Sequence, residues 1–182
     1  MIIVLGVAGS GKSTQSQLLA ARDNMRWLSM GELLRSVITD ERKEIMLAGK
    51  VLDEKEVIGI LDAEISQRGD NPELILDGFP RGIEQAKWLL EQMRTNRFNV
   101  RAIVHLRAHK AAVKERLLAR GRQDDTEDAI AERFHEYEHT IKPIVTLLHE
   151  GGVPVVEVDA EQAPKEVEAD IIAGMREVGI SL

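Results

Sequence analysis

The strongest constraint on this chain is a glycine-rich segment near its N-terminus, Gly6–Ser13 (GVAGSGKS), which directly follows the apolar run Ile2–Leu5. The segment matches the pattern G-x-x-x-x-G-K-[S/T] at every position. Glycines let a backbone wrap a phosphate with its N–H groups turned inward, Lys12 adds a positive charge toward the β/γ-phosphates, and the Ser13 hydroxyl suits Mg²⁺. We expect a helix over Thr14–Arg22, whose N-terminal dipole favours the same anion. The sequence therefore predicts a nucleoside triphosphate site.

Short runs rich in leucine or β-branched residues recur along the chain. They are Ile2–Leu5, Arg26–Ser29, Leu74–Leu76, Ala102–Leu106 and Val153–Val158, and segments with helical spacing of apolar residues separate them. Strands that alternate with helices indicate βαβ crossovers and a parallel sheet covered on both faces. A length of 182 residues suits one domain with a full core. We therefore expect a single α/β domain.

The helical pattern predicts three further features. Three short helices are expected between Glu32 and Gln67, inserted between the second and third strands of the sheet. A long helix is expected over Asp125–His149, kinked by Pro143, because proline removes a backbone hydrogen bond and clashes with the preceding turn. A last helix should run from Pro164 to about Glu177.

Composition and charge narrow the functional classes. The chain is 43% apolar and 30% charged, and no apolar run approaches the ~20 residues that span a bilayer. Its N-terminus has no basic leader, so we expect a cytoplasmic protein without membrane attachment. A net charge of −7 argues against nucleic acid as a partner, and the absence of cysteine excludes a thiolate zinc site.

Two further motifs carry charge suited to phosphate chemistry. Asp77–Arg81 (DGFPR) follows a predicted strand, which places Asp77 beside the phosphate loop and aims Arg81 at the same cavity as Arg35. The segment Arg116–Asp125 (RLLARGRQDD), followed by Arg133, gathers cations of the kind that stabilise a phosphoryl-transfer transition state. Taken alone, the first motif also fits a generic turn and the second a solvated charged turn. The phosphate loop upstream favours the functional interpretation.

In their order and spacing these motifs resemble the adenylate kinase branch of the nucleoside monophosphate kinases, and the similarity extends along essentially the whole chain. Besides the motifs above it includes Ser29–Arg35 (SMGELLR), Ala48–Leu52 (AGKVL) and Gln85. The resemblance implies an α/β P-loop kinase fold with a five-stranded parallel sheet flanked by helices. It also implies a core of residues 1–29, 60–119 and 126–182, a helical monophosphate-binding insert at about 30–59 and a very short lid at about 120–125.

The resemblance assigns site residues one by one. Those implied to bind ATP are Gly9, Ser10, Gly11, Lys12, Ser13, Thr14, Arg116 and Arg120, with Arg116 packed on the adenine. Those implied to bind AMP are Met30, Arg35, Val51, Gly78, Arg81, Gln85, Arg122 and Arg133. The implied catalytic residues are Lys12, Arg81, Arg120, Arg122 and Arg133, while Ser13 and Asp77 would support Mg²⁺, partly through water. Asp124 and Asp125 match lid-hinge carboxylates that orient ribose or arginines, and the turn Asp159–Glu161 matches the loop beside the ATP base.

The implied activity is Mg²⁺-dependent conversion of ATP and AMP into two ADP by a monomer, with no zinc. Gln85 supplies the donor and acceptor that the adenine edge of AMP requires. Met30 stands where adenylate kinases usually carry threonine, so UMP or CMP remains an alternative acceptor, and an ATP-gated binding protein is a more distant one. Because the lid is so short, we also expect measurable ATP hydrolysis without an acceptor.

Overall fold

The chain folds around a parallel β-sheet. The structure, a computed structural model, describes residues 1–37, 53–67, 73–121 and 125–181. Five strands lie in the order β2-β3-β1-β4-β5, and every pairing between neighbours is parallel. Their bounds are β1 Ile2–Gly6, β2 Arg26–Ser29, β3 Leu74–Asp77, β4 Ala102–Arg107 and β5 Val155–Asp159. The predicted five-stranded α/β fold is confirmed, although β5 begins two residues later than expected.

Helices connect the strands and cover the sheet. Within the described residues they are α1 Lys12–Arg22, α2 Met30–Val37, α3 Glu54–Ser66, α4 Ile83–Arg94, α5 Lys110–Arg120, α6 Glu127–Glu136, α7 Lys142–Glu150 and α8 Pro164–Glu177. Between β2 and β3, α2 and α3 account for two of the three expected helices, and the middle one lies outside the described residues. No helix in the described parts of the chain is both long and apolar enough to cross a membrane.

Alternating side chains of the strands build two cores. Ile3 and Leu5 of β1 belong to the core on the side of α3, α4 and α7. Ile2 and Val4 belong to the core on the side of α1 and α8. All four side chains are buried, which is expected of a parallel strand covered on both faces. This packing fixes the carboxyl ends of β1 and β3 side by side, where the functional side chains gather.

The long helix predicted over Asp125–His149 is wrong in two details. It begins at Glu127 because Thr126 is the N-cap and its hydroxyl accepts a hydrogen bond from the backbone N–H of Ala129, so Asp125 lies outside the helix. It also contains a π-helical turn over Tyr137–Ile141 rather than a simple kink. Pro143 lies two residues beyond this turn, in the first turn of α7.

Candidate active site

The glycine-rich loop joins β1 to α1 in a conformation that other residues resist. Gly9 has a φ of 84°, and a Cβ there would lie 2.9 Å from the Cγ of Leu117. Gly11, at φ 92°, is the N-cap of α1. Helix α1 begins at Lys12, two residues earlier than predicted, so the helix starts at the loop itself. The positive end of the helix dipole therefore points into the loop, as an anion site requires.

The side chain of Lys12 is hydrogen-bonded to the backbone of the phosphate loop. Its Nζ donates hydrogen bonds to the carbonyl oxygens of Gly6 and Val7, both at 2.9 Å. Burial, together with the nearby positive charge of Arg81, lowers the pKa of Lys12 to about 8, while Asp77 acts in the opposite direction. A bound polyphosphate would favour the protonated form of Lys12, because the anion stabilises the positive charge of the ammonium group.

Ser13 and Asp77 meet across the carboxyl ends of two strands. The Ser13 hydroxyl donates a 2.6 Å hydrogen bond to Oδ2 of Asp77, and Asp77, the last residue of β3, is 3% exposed. A hydroxyl and a carboxylate are the hard oxygen ligands that suit Mg²⁺, which keeps several waters and takes its other ligands from phosphates. The pair therefore fits a magnesium ion shared with a nucleotide.

The predicted acceptor residues line the neighbouring part of the same space. The Nε of Arg81 donates to the carbonyl of Gly78 at 3.0 Å, and the backbone N–H of Arg81 donates to Oε1 of Gln85 at 2.9 Å. Gln85 is 1% exposed and Met30 is 2% exposed, so both are wall residues rather than surface residues. Arg35 faces the same cavity from α2.

A buried carboxylate gathers two of the predicted arginines. Asp125 accepts hydrogen bonds from Nε and Nη2 of Arg120 at 2.9 and 2.6 Å, and from Nη1 of Arg133 at 3.1 Å. Its side chain is 1% exposed. The two guanidinium groups come from α5 and α6, so Asp125 joins the helices on both sides of the predicted lid. Such a pairing fixes where the two positive charges lie.

Arg116 anchors the turn after the last strand. Its Nη1 donates to the carbonyl of Ala160 at 2.8 Å and its Nη2 to that of Glu161 at 3.2 Å. The sequence resemblance implied that Arg116 and this turn both lie beside the ATP base, but it predicted no contact between them. The two hydrogen bonds provide that contact through backbone atoms.

One cavity of about 720 Å³ contains these groups. The predicted site residues that line it are Gly9, Ser10, Gly11, Lys12, Ser13, Thr14, Met30, Arg35, Asp77, Gly78, Arg81, Gln85, Arg116, Arg120 and Arg133. Val51, Arg122 and Asp124 lie outside the described residues. The structure thus brings together every predicted ATP, AMP and magnesium residue that it describes.

Sequence reasoning missed two charged residues that line this cavity, Glu32 and Glu136. Glu136 lines the wall near Lys12 and raises the pKa of that lysine. Glu136 follows Arg133 by one helical turn, so the i,i+3 spacing places both on one face of α6. This spacing from Arg133 was the sequence feature from which Glu136 could have been predicted.

Comparison with known proteins agrees with the site. The family model described as adenylate kinase matches residues 4–153. An adenylate kinase of Corynebacterium urealyticum is 31% identical over 172 residues, covering 91% of this chain and 93% of the relative. One of Prochlorococcus marinus is 32% identical over 176 residues, covering 93% and 95%, and one of Mycobacterium ulcerans is 34% identical over 150 residues, covering 79% and 83%.

Both kinds of comparison extend over most of the chain, and the residues matched by the family model include the phosphate loop, the DGFPR turn and the arginines of α5 and α6. The chain therefore belongs to the adenylate kinase family and is a phosphotransferase of the nucleoside monophosphate kinase class.

Proposed function

We propose that this chain transfers the γ-phosphoryl group of ATP to AMP, reversibly and with Mg²⁺, to give two ADP. The observation that carries the proposal is the convergence of a triphosphate loop and a separate set of arginines on one cavity. A site for ATP alone needs only the loop. Arg35 in α2 and Arg81 in the turn after β3 belong to different elements from the loop, and they supply charge for a second phosphate.

The donor and acceptor phosphates would be held by different elements. The loop amides and Lys12 bind the β/γ-phosphates of ATP, and Arg116 with the turn at Ala160 flanks the adenine. Arg35 and Arg81 bind the phosphate of AMP. The attacking oxygen of AMP is already anionic, so no side chain is needed as a base, and catalysis rests on positioning and charge neutralisation.

The charge that develops on the transferred group would meet Arg120 and Arg133. Both side chains are fixed by Asp125 before any ligand binds, so little reorganisation is needed during the reaction. Ser13 and Asp77 would hold Mg²⁺ together with the phosphates, and that ion neutralises negative charge on the β/γ-oxygens. Arg122, outside the described residues, is proposed as a further cation beside the transferred group.

The proposed division of the chain follows from these roles. Residues 30–59 form the monophosphate-binding insert and 120–125 a short lid, on a core of 1–29, 60–119 and 126–182. The position of α2 and α3 between β2 and β3 supports this division, since both helices contribute to the wall near Arg35. Closure of the two parts over the substrates would exclude water from the γ-phosphate.

The base preference would depend on Gln85. Its carbonyl already accepts from the backbone of Arg81, which orients the amide group. An NH₂ donor pairs with N1 of adenine or N3 of cytosine, whereas guanine and uracil present an N–H at the equivalent position. Buried Met30 adds no polar contact. AMP is therefore the proposed acceptor and CMP the second candidate.

The test is a coupled assay of ADP formation from ATP and Mg²⁺ with AMP, CMP, UMP or GMP supplied separately, and with no acceptor as the control. We expect the fastest turnover with AMP and some with CMP. A slow release of ADP without acceptor is also expected from the short lid. Turnover that no monophosphate accelerates would overturn the proposal and favour an ATP-gated binding protein.

A further inference from the structure

Helix α4 carries the acceptor residue Gln85 in its first turn, and this turn lacks a cap of its own. Its N-cap residue is Gly82, which has no side chain to accept a hydrogen bond from the first N–H groups. Uncapped N–H groups at a helix start need a partner from elsewhere. In this chain the partner comes from a residue 31 positions earlier in the sequence.

That partner is Glu54, the first residue of α3. Its Oε2 accepts a hydrogen bond from the backbone N–H of Gln85 at 3.1 Å. The preceding residue, Asp53, caps α3 itself through hydrogen bonds from the backbone N–H groups of Lys55 and Glu56. Glu54 is therefore not needed as the cap of its own helix, and its carboxylate lies against the neighbouring one.

The identity of Gly82 gives a second, independent observation. A Cβ at position 82 would overlap with the carboxylate of Glu54. Gly82 has φ −144°, ordinary extended backbone that any residue adopts, so conformation does not require glycine here. The available space does require glycine. Because Gly82 has no side chain, the Glu54 carboxylate can lie at the start of α4.

From Glu54 a short chain of hydrogen bonds reaches the acceptor site. Glu54 holds the backbone of Gln85, the side chain of Gln85 holds the backbone of Arg81, and the side chain of Arg81 holds the carbonyl of Gly78. The negative charge of Glu54 also complements the positive end of the α4 dipole. Each link fixes the orientation of the next.

We propose that Glu54 is a positioning residue for monophosphate binding, which orients Gln85 and Arg81 by capping α4 from the insert. The proposal rests on the proposed function, in which those two residues contact AMP. It assigns Glu54 no contact with substrate. Its effect should therefore fall on the acceptor and spare the donor, because the phosphate loop and Lys12 share none of these hydrogen bonds.

The experiment compares Glu54→Ala, Glu54→Gln and Gly82→Ala with wild type. AMP binding is measured by calorimetry without ATP, and KM for AMP and for ATP by the coupled assay. We expect Glu54→Ala to weaken AMP binding and raise KM for AMP about tenfold, with KM for ATP within twofold of wild type. Glu54→Gln keeps an acceptor oxygen, so it should recover part of the loss. Gly82→Ala should cause the same loss of AMP binding, because the added methyl group displaces the carboxylate of the unchanged Glu54.

A double variant and a control sharpen the result. If Gly82→Ala acts through Glu54, then Glu54→Ala combined with Gly82→Ala should lose no more AMP affinity than Glu54→Ala alone. The control is Glu84→Gln, which removes a charge from the first turn of α4, where Glu84 pairs with Lys87 on the surface. We expect it to bind AMP as wild type does.

The outcomes separate the two proposals. If wild type neither binds nor phosphorylates AMP, the proposed function fails. If wild type does both, and the Glu54 variants either keep wild-type AMP affinity or lose affinity for ATP and AMP equally, the positioning role is wrong. Lower thermal stability with unchanged AMP binding would likewise overturn it, because Glu54 would then be a structural cap only.

Discussion

The guanidinium group of Arg120 donates two hydrogen bonds to the carboxylate of Asp125, at 2.9 and 2.6 Å. Oδ1 of the same carboxylate also accepts from Arg133. Two positive charges that would otherwise repel one another are thus held at fixed positions at the edge of the nucleotide cavity. Their place is set by a residue that touches neither phosphate in the proposed reaction.

Replacing Asp125 with asparagine should therefore damage catalysis. The amide removes the negative charge between two guanidinium groups, and we expect kcat to fall roughly 10–100-fold and the free energy of unfolding to fall by ~2 kcal/mol. Steady-state kinetics and urea unfolding check both effects. Asp128→Asn, an exposed change in the first turn of α6, is the control, and an equal effect of the two variants would contradict the role of Asp125.

Arg81→Ala should separate acceptor from donor binding. Loss of a charge-assisted contact to phosphate is worth about 2 kcal/mol, so we expect KM for AMP to rise at least ~10-fold. ATP affinity, measured by calorimetry, should stay close to wild type. Arg94→Ala removes an arginine from the other end of α4, where it pairs with Glu91, and should change neither constant. Equal loss of ATP and AMP affinity in Arg81→Ala would show that Arg81 lies in the donor site.

Lys12 should take up a proton when ATP binds. With a pKa of about 8 in the free protein, roughly half of the molecules carry a neutral amine at pH 8, and a bound polyphosphate favours the charged form. Calorimetry at pH 8 in buffers of different ionisation enthalpy should then give different apparent binding enthalpies. Lys12→Arg, which stays charged, should lose this dependence. Identical enthalpies for wild type in all buffers would contradict the expectation.

Lys12→Met should abolish phosphoryl transfer, because no other group replaces the charge at the β/γ-phosphates. The same change removes a partly desolvated ammonium, so the free protein should unfold at a temperature no lower than wild type. Thermal unfolding with and without ATP, beside the coupled assay, checks both statements. Retained transfer would mean that the loop amides suffice without Lys12.

A buried histidine should make stability depend on pH. Nδ1 of His105 lies 3.1 Å from the Glu157 carboxylate, which can only accept, so Nδ1 carries the proton and Nε2 accepts from the Tyr137 hydroxyl at 2.9 Å. Burial lowers the pKa of His105, although Glu157 opposes the shift, and Arg107 and Lys142 reinforce it. The unfolded chain then binds more protons than the folded protein below about pH 6.5, and the free energy of unfolding falls as the pH drops.

Urea unfolding at pH 7.0, 6.0 and 5.5 tests this effect against His105→Gln, which does not titrate. Wild type should lose more stability than the variant across this range. Burial opposes the shift, but His105 and Arg107 lower the pKa of Glu157 overall, so this carboxylate stays largely ionised in the folded protein over this pH range. Parallel losses in the two proteins would contradict the assignment to His105.

Local patterns in the sequence predicted the elements and the parts of the site that lie within single motifs. The strand before the glycine-rich loop, the helix after it and Asp77 at the end of β3 all follow from such patterns. Contacts between residues far apart in the sequence could not be predicted from such patterns. His105 meets Glu157 because β4 and β5 pair in that register, and Glu54 reaches α4 because α3 packs on it. Register and helix packing are set by the whole core, so no short segment encodes them.

In the proposed reaction, one cavity holds two nucleotides and a phosphoryl group passes between them. The most direct measurement uses ATP with a radioactive label in its γ-phosphate. This ATP is mixed with Mg²⁺, AMP and the protein, and the labelled products are then identified. We expect the label in the β-phosphate of ADP, formed much faster than labelled inorganic phosphate. Label that appears only as inorganic phosphate, or remains entirely in ATP, would contradict phosphoryl transfer from ATP to AMP.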